Sequence, residues 1–287
     1  MSEVVTAEQI EAFRTNGFVV VDHLLTDAEL DTFEPLVTAA GAYRSAGDER
    51  TLEERSPYQQ WFQRCINLWE DHEALRPLTF HQQIGQAAGE LVGVPALRLW
   101  RDQALYKRAH GRETDPHQDQ PYWPIAETNT ITAWVPLQGS TMANGAMAYL
   151  PGSHLVGLRR FQNIFSAEDA TEFMNSPEIA GIEPVWVEVP RGSVAFHHGL
   201  TAHMVKPNTT DVDRPVHTMI MFADGSTRST KAWHFAVDRH NIEVGASSTA
   251  PAPRSSGPAT PATIPLDPQG CRSGAGQQGE DGRTGRG

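Results

Sequence analysis

Cysteine is nearly absent. The chain of 287 residues has two, Cys65 and Cys271, far apart and without zinc-type spacing. That speaks against a disulfide framework and a cysteine-ligated zinc module, and a reducing cytoplasm is the simplest setting. Basic residues are also scarce: 23 Lys and Arg stand against 35 Asp and Glu, for a formal net charge of −12. No basic run is present, and phosphate contacts come from clustered Lys and Arg, so nucleic acid is not an expected partner. No apolar run reaches the length of a membrane span. The opening "MSEVVTAEQI" lacks a basic stretch followed by an apolar one, so no signal peptide is expected.

What is present falls into three regions. Residues 1–96 read as mostly helical. "TAEQIEAFRTNG" pairs Thr6 with Gln9 in a capping-box pattern and stops at Gly17, and Thr26 and Glu29 repeat the signal. "FVVVDHL" reads as a strand between them. "PYQQWFQRCINLWEDHEALRPLTFHQQIGQAAGELVGV" reads as helix-rich, with apolar residues at spacings of three and four. From about residue 97 the period changes. "ALRLWRDQALYKRA", "NTITAWVPLQG", "GAMAYLPG", "IEPVWVEVP", "GSVAFHHG" and "RPVHTMIMFAD" are short, β-branched or aromatic, and punctuated by Gly, Pro, Asn or Asp. Asn144-Gly145 fits a tight turn. The expectation for 97–245 is a β-barrel or two-sheet sandwich with helices packed outside, and with 1–96 it forms one domain. Residues 246–287, rich in Gly, Pro, Ser and Thr, hold too little apolar surface to offset the entropy of ordering and read as a disordered tail.

One stretch asks for a chemical explanation. "TDPHQDQPYWP" places His117 and Asp119 two apart, between prolines and beside Tyr122 and Trp123. On a strand, positions i and i+2 share a face. A later cluster, "GSVAFHHGLTAHMVKPNTTDVDRP", carries His197, His198, His203 and Arg214. Two imidazoles and one carboxylate on one side of a metal leave positions open, which suits Fe(II) holding a co-substrate and oxygen together. A barrel interior brings such residues together from different strands. Partners that orient the imidazoles are expected in the Pro116 turn and the Gly199-to-His203 loop. Arg214 can grip a carboxylate through two hydrogen bonds. Taken alone the pair reads as a surface turn in which Asp119 caps His117, and His197 is equally a strand histidine pointing away.

The order "HQDQPYW", "NGAMAYLPGSH", "HHGLTAHMVKPNTTDVDRP" resembles the phytanoyl-CoA dioxygenase family of Fe(II)- and 2-oxoglutarate-dependent oxygenases. The likeness runs from "EQIEAFRTNGFVVVDHLL" to "WHFAVD". It implies a double-stranded β-helix, a cupin-like jelly roll, as the core. It implies His117, Asp119 and His203 as iron ligands and as the catalytic centre. Arg214 becomes the partner of the distal carboxylate of 2-oxoglutarate, with Trp134, Gln118 and Thr132 near that co-substrate. The implied activity is hydroxylation of an unactivated C–H bond of a small molecule with O2, releasing succinate and CO2. Because related halogenases lack the carboxylate, Asp119 points to hydroxylation, desaturation or ring closure. Val205 stands where the family often has a small hydroxyl residue; the co-substrate hydrogen bond is then either missing or supplied by Thr132 or Thr218. Lys107 is either a pocket contact or a solvated strand-end lysine. His198 and His197 are expected to shape the turn before His203, and His154 to make a structural hydrogen bond. Tyr122 and Trp123 are either core residues or pocket walls.

Other readings are a cupin-type metalloenzyme that does not use 2-oxoglutarate, a zinc hydrolase, and a non-catalytic binding protein on the same fold. With no Arg and Lys cluster evident along the chain, a neutral, apolar or amine-bearing substrate is expected, such as a secondary metabolite.

Overall fold

The structure, a computed structural model, describes residues 3–162, 164 and 171–247. Helix α1 (Ala7–Asn16) begins in the expected capping box, with reciprocal bonds between Thr6 and Gln9, and ends at Gly17 in the left-handed region, φ +82°. Strand β1 (Phe18–Val21) follows, then α2 (Asp27–Ser45), capped by Thr26 and Glu29. After the short α3 (Pro57–Trp61) the chain departs from expectation. Residues Phe62–Ile66 form β2, a strand inside the stretch expected to be helical. The sequence FQRCI alternates in side-chain direction, and pairing with a long neighbouring strand outweighs the local helical pattern. Helices α4 (Leu68–Asp71), α5 (Arg76–Thr79) and α6 (Gln82–Val92) complete this part.

The strand-rich region comprises β3 (Leu97–Lys107), β4 (Thr114–His117), β5 (Thr130–Pro136), β6 (Met147–Tyr149), β7 (Val185–Val187), β8 (Val194–His198), β9 (His203–Val205) and β10 (Arg214–Ala223). Two short helices, α7 (Thr171–Met174) and α8 (Phe235–Asp238), lie outside the sheets. A six-stranded antiparallel sheet runs β1-β8-β5-β10-β3-β2, and a four-stranded one β4-β9-β6-β7. This is the expected jelly roll, mainly antiparallel β with flanking helices.

Strand alternation divides the labour. On the outer face of the large sheet, Ile131, Ala133, Val135, Phe196, Met219 and Met221 join one buried cluster with Leu30, Phe33, Val37, Ile84, Ala87 and Leu91 of the helices. The residues between them face inward and line a cavity. Strands covered on both faces read as continuous burial, as β5 does throughout. Losing a filled position such as Phe196, which has no exposed surface, costs about 3–5 kcal/mol for Phe→Ala.

Asn144-Gly145 lies in a longer turn closed by Ala146 N to Thr141 O. The described chain runs past the expected boundary at 245: Ala246 accepts from Arg228 N and Ser247 bridges Thr227. The rest of the expected tail, with Cys271, lies outside the described residues. No helix among the described residues is long and apolar enough to cross a membrane.

Candidate metal centre and pocket

The three expected ligands converge, though not by the expected route. His117 ends β4, whereas Asp119 adopts a helical conformation (φ −77°, ψ −39°) at the start of a 3-10 turn. A turn, not strand alternation, brings the carboxylate beside the imidazole. His203 opens β9 and pairs directly with His117. The Asp119 Oδ1 atom lies 3.9 Å from His117 Nε2 and 4.0 Å from His203 Nε2. Among the described residues, this is the cluster of His, Cys, Asp or Glu side chains whose donor atoms fit around one ion, all within 4.8 Å of each other.

Each imidazole is oriented from behind. Nδ1 of His117 lies 2.8 Å from the Asp115 carbonyl, and Nδ1 of His203 lies 2.9 Å from that of Thr201. A carbonyl only accepts, so Nδ1 carries the proton and Nε2 offers its lone pair inward. These partners sit in the two segments expected to supply them. Thr201 is itself anchored, its hydroxyl donating to the Gly17 carbonyl at 2.8 Å. The end of α1 therefore holds the loop that presents His203.

Burial pushes His117 below the ordinary histidine range and His203 well below it. Burial alone would raise the Asp119 carboxyl. The hydrogen bond from His197 and the His203, His197 and His117 imidazoles overcome it and hold the group far down.

His197 was missed by sequence reasoning. It does not shape the turn; it is 2% exposed and faces the centre, with Nε2 3.2 Å from Asp119 Oδ2. The Thr132 hydroxyl donates to the same oxygen at 3.1 Å. Together they hold Oδ2 and leave Oδ1 toward the two ligand histidines. Thr132 thus holds the carboxylate while also lining the cavity. The missing signal was register: His197 pairs with Thr132, so the two share a face. His198 does keep its turn role, accepting from Leu200 N at 3.1 Å. His154 bonds the Arg14 carbonyl at 3.0 Å, as expected of a structural histidine.

Gln118 does not reach the centre. Its side chain donates to the carbonyls of Gly157 and Leu200 and accepts from Arg159 N, which exhausts it away from the cavity. Trp134 and Arg214 both line the cavity. The Arg214 guanidinium lies over the Trp134 ring at 4.9 Å and donates to the Gly145 carbonyl at 3.1 Å. Its Nε is buried without a hydrogen-bond partner, and burial pushes the group down to about 9. Lys107 fits neither expectation. Paired opposite Arg214 and 1% exposed, it donates to the Arg112 carbonyl, and burial with the nearby Arg214 charge pushes it down to about 7. Its stem explains Gly145: at φ +102°, an added Cβ would lie 2.7 Å from Lys107 Cδ.

The cavity, together with the open solvent at its mouth, spans about 750 Å³. Tyr122 and Trp123 line it, as do Val205 and Thr218. Thr114, paired with Val205, brings a hydroxyl beside the position where Val205 lacks one. The expectation of a pocket without clustered basic residues is corrected, for Arg64 and Arg101 line it together with Arg214. Sequence reasoning missed both because Arg64 lies on the strand taken for helix, and because residues distant along the chain converge here.

The family model described as phytanoyl-CoA dioxygenase (PhyH) matches residues 13–216. Phytanoyl-CoA dioxygenase domain-containing protein 1 of Bos taurus is 26% identical over 160 residues, 53% of this chain and 55% of that protein. A probable alpha-ketoglutarate-dependent hypophosphite dioxygenase of Stutzerimonas stutzeri is 29% identical over 121 residues, 41% of this chain and 42% of that protein. The chain thus spans about half the length of the curated relatives it matches. Among solved structures, the non-heme alpha ketoglutarate dependent carbocyclase SnoK from nogalamycin biosynthesis superposes with a TM-score of 0.71 at 26% identity, covering 86% of this chain and 95% of that one.

Proposed function

Because the chain belongs to the phytanoyl-CoA dioxygenase family, we propose that it is an Fe(II)- and 2-oxoglutarate-dependent oxygenase acting on a small molecule. His117, Asp119 and His203 would hold the iron, and Arg214 the distal carboxylate of 2-oxoglutarate. The observation that carries this reading is the buried, partnerless Nε of Arg214 at one end of a cavity that also receives the three convergent ligand atoms. A buried guanidinium whose Nε has no partner is costly unless a ligand completes it. Two imidazoles and a carboxylate suit Fe(II), and a planar fork suits a carboxylate. The residues present therefore fit both groups.

When bound, iron and 2-oxoglutarate supply oxidation of a C–H bond by O2 with release of succinate and CO2. The chain's own part is positioning. Asp115 and Thr201 fix the imidazole tautomers, while Thr132 and His197 hold the carboxylate. Trp134 supports Arg214 by stacking. Tyr122, Trp123 and Ile220 wall the cavity and limit water.

Anaerobic addition of Fe(II) and then 2-oxoglutarate tests the proposal. A weak visible charge-transfer band is the expected result. A chain that binds iron but develops no band on saturation with 2-oxoglutarate would leave the proposal without support.

A further inference from the structure

The proposed chemistry leaves one group in the cavity unused. Arg101 lies on β3, whose alternate residues Arg101, Gln103 and Leu105 line the cavity, while Asp102 and Ala104 are wholly buried on the other face. Its Nε is buried with no hydrogen-bond partner, and among the described residues no carboxylate forms an ion pair with it. Burial, then the like charge of Arg64, pushes the guanidinium down to about 9, with Asp119 acting weakly the other way. An arginine in that condition destabilises the free protein. Such a cost is typical of a group set aside for a ligand.

Register separates this arginine from the co-substrate arginine. Arg214 pairs with Lys107, at the far end of β3. Arg101 pairs with Ile220, Ile220 with Thr132, and Thr132 with His197, so Arg101 sits in the cross-strand row that holds Asp119. Six residues separate Arg101 from Lys107, about 20 Å along a strand. The two arginines thus enter the cavity from opposite ends of β3, Arg214 at one and Arg101 at the other. The Arg101 end is the other side of the centre, where Arg64, Tyr58, Tyr122 and Ile164 also line the wall.

We infer that Arg101, with Arg64 beside it, receives an anionic group of the substrate, so that the substrate is a small molecule with a carboxylate or phosphate on a largely apolar body. This rests on the oxygenase reading for its meaning as a substrate site. Arg101 acts here as a specificity residue: it anchors the anion while the apolar walls take the rest. The excess negative charge of the chain as a whole does not oppose this, because Arg101 and Arg64 lie close together at that end of the cavity.

The test is calorimetric titration of the full chain, loaded anaerobically with Fe(II) and 2-oxoglutarate so that the Arg214 end is filled. Benzoate and inorganic phosphate are the probes, in separate runs. Saturable binding of one of them is expected, and which one binds distinguishes carboxylate from phosphate. Arg101→Gln should weaken that binding at least tenfold and Arg101→Lys less. Arg101→Gln should also melt no lower than the parent, because it removes an unpaired buried charge. Failure of both probes to saturate overturns the inference. So does Arg101→Gln binding as tightly as the parent, or melting well below it, since the latter marks a structural arginine. If loading yields no charge-transfer band yet Arg101-dependent anion binding persists, the anion site stands and the oxygenase reading falls.

Discussion

Asp119 Oδ2 accepts two hydrogen bonds, from Thr132 Oγ1 at 3.1 Å and from His197 Nε2 at 3.2 Å. Removing either should loosen the carboxylate without removing a ligand. Thr132→Val keeps shape and volume and deletes the hydroxyl; His197→Phe keeps a ring and deletes the donor. Outer partners of metal ligands are worth about 10–100-fold in metal affinity, or about 1.4–2.7 kcal/mol. Each single variant should lie near the low end, since the other donor still pins the same oxygen. The double variant should exceed the sum of the two by about 0.5–3 kcal/mol, the usual coupling of residues sharing one partner. The assay is Co(II) or Fe(II) affinity by competition with a chelator, with 2-oxoglutarate affinity measured at saturating metal. Metal affinity should fall while co-substrate affinity stays put. Unchanged metal affinity in the double variant, or a loss confined to 2-oxoglutarate, would refute the reasoning and return Thr132 to a co-substrate role.

Further outcomes are expected elsewhere in the molecule. His117→Ala and Asp119→Ala should abolish metal-dependent turnover while near-native circular dichroism remains; a fully active double variant would end the proposed metal centre. Arg214→Lys should raise the 2-oxoglutarate concentration needed for half-saturation at least tenfold, with little effect on iron affinity, because an ammonium cannot reproduce the fork; equal co-substrate titrations would show Arg214 to be misassigned. Gly17→Ala forces a Cβ into a left-handed position 2.4 Å from Thr201 Oγ1. It should cost about 1–3 kcal/mol in denaturant unfolding. It should also weaken metal binding through the Thr201–His203 link, and normal values for both would remove α1 from the site's support. Burial pushes His217 and His234 down to about 3, and burial aided by His154 and His197 pushes His198 to about 4. Their unfolded-state values lie near 6.5, so the unfolded chain binds more protons between those limits. The stability they contribute is full above about pH 6.5 and is lost as the pH falls toward 4. Asp102 acts in the opposite sense, since burial raises it to about 6. With three histidines against one carboxylate, urea midpoints should fall from pH 7.5 to pH 5; a flat or rising series would contradict this assignment.

By itself the sequence determined what short-range chemistry and periodicity can dictate. Thr6 with Gln9 and Thr26 with Glu29 start helices because the capping partners lie one turn apart. "TITAWVP" and "RPVHTMIMFA" are strands because their side chains suit a surface covered on both faces. The motif around His117, Asp119 and His203, and Arg214 after it, was legible because those residues carry a family's pattern in order. Only the tertiary structure decided which face each strand turns inward and which strand lies beside which. Phe62–Ile66 became a strand because β3 offered an unpaired edge, and that pairing carried Arg64 to the cavity. Register with Thr132 turned His197 from a turn residue into the partner of Asp119. Gln118, adjacent to two ligands in sequence, was turned away because three backbone groups claimed its amide. Such pairings lie tens to hundreds of residues apart, and a one-residue shift in register would reverse every face. No local pattern carries that information; it exists only once the sheets have closed around a common interior.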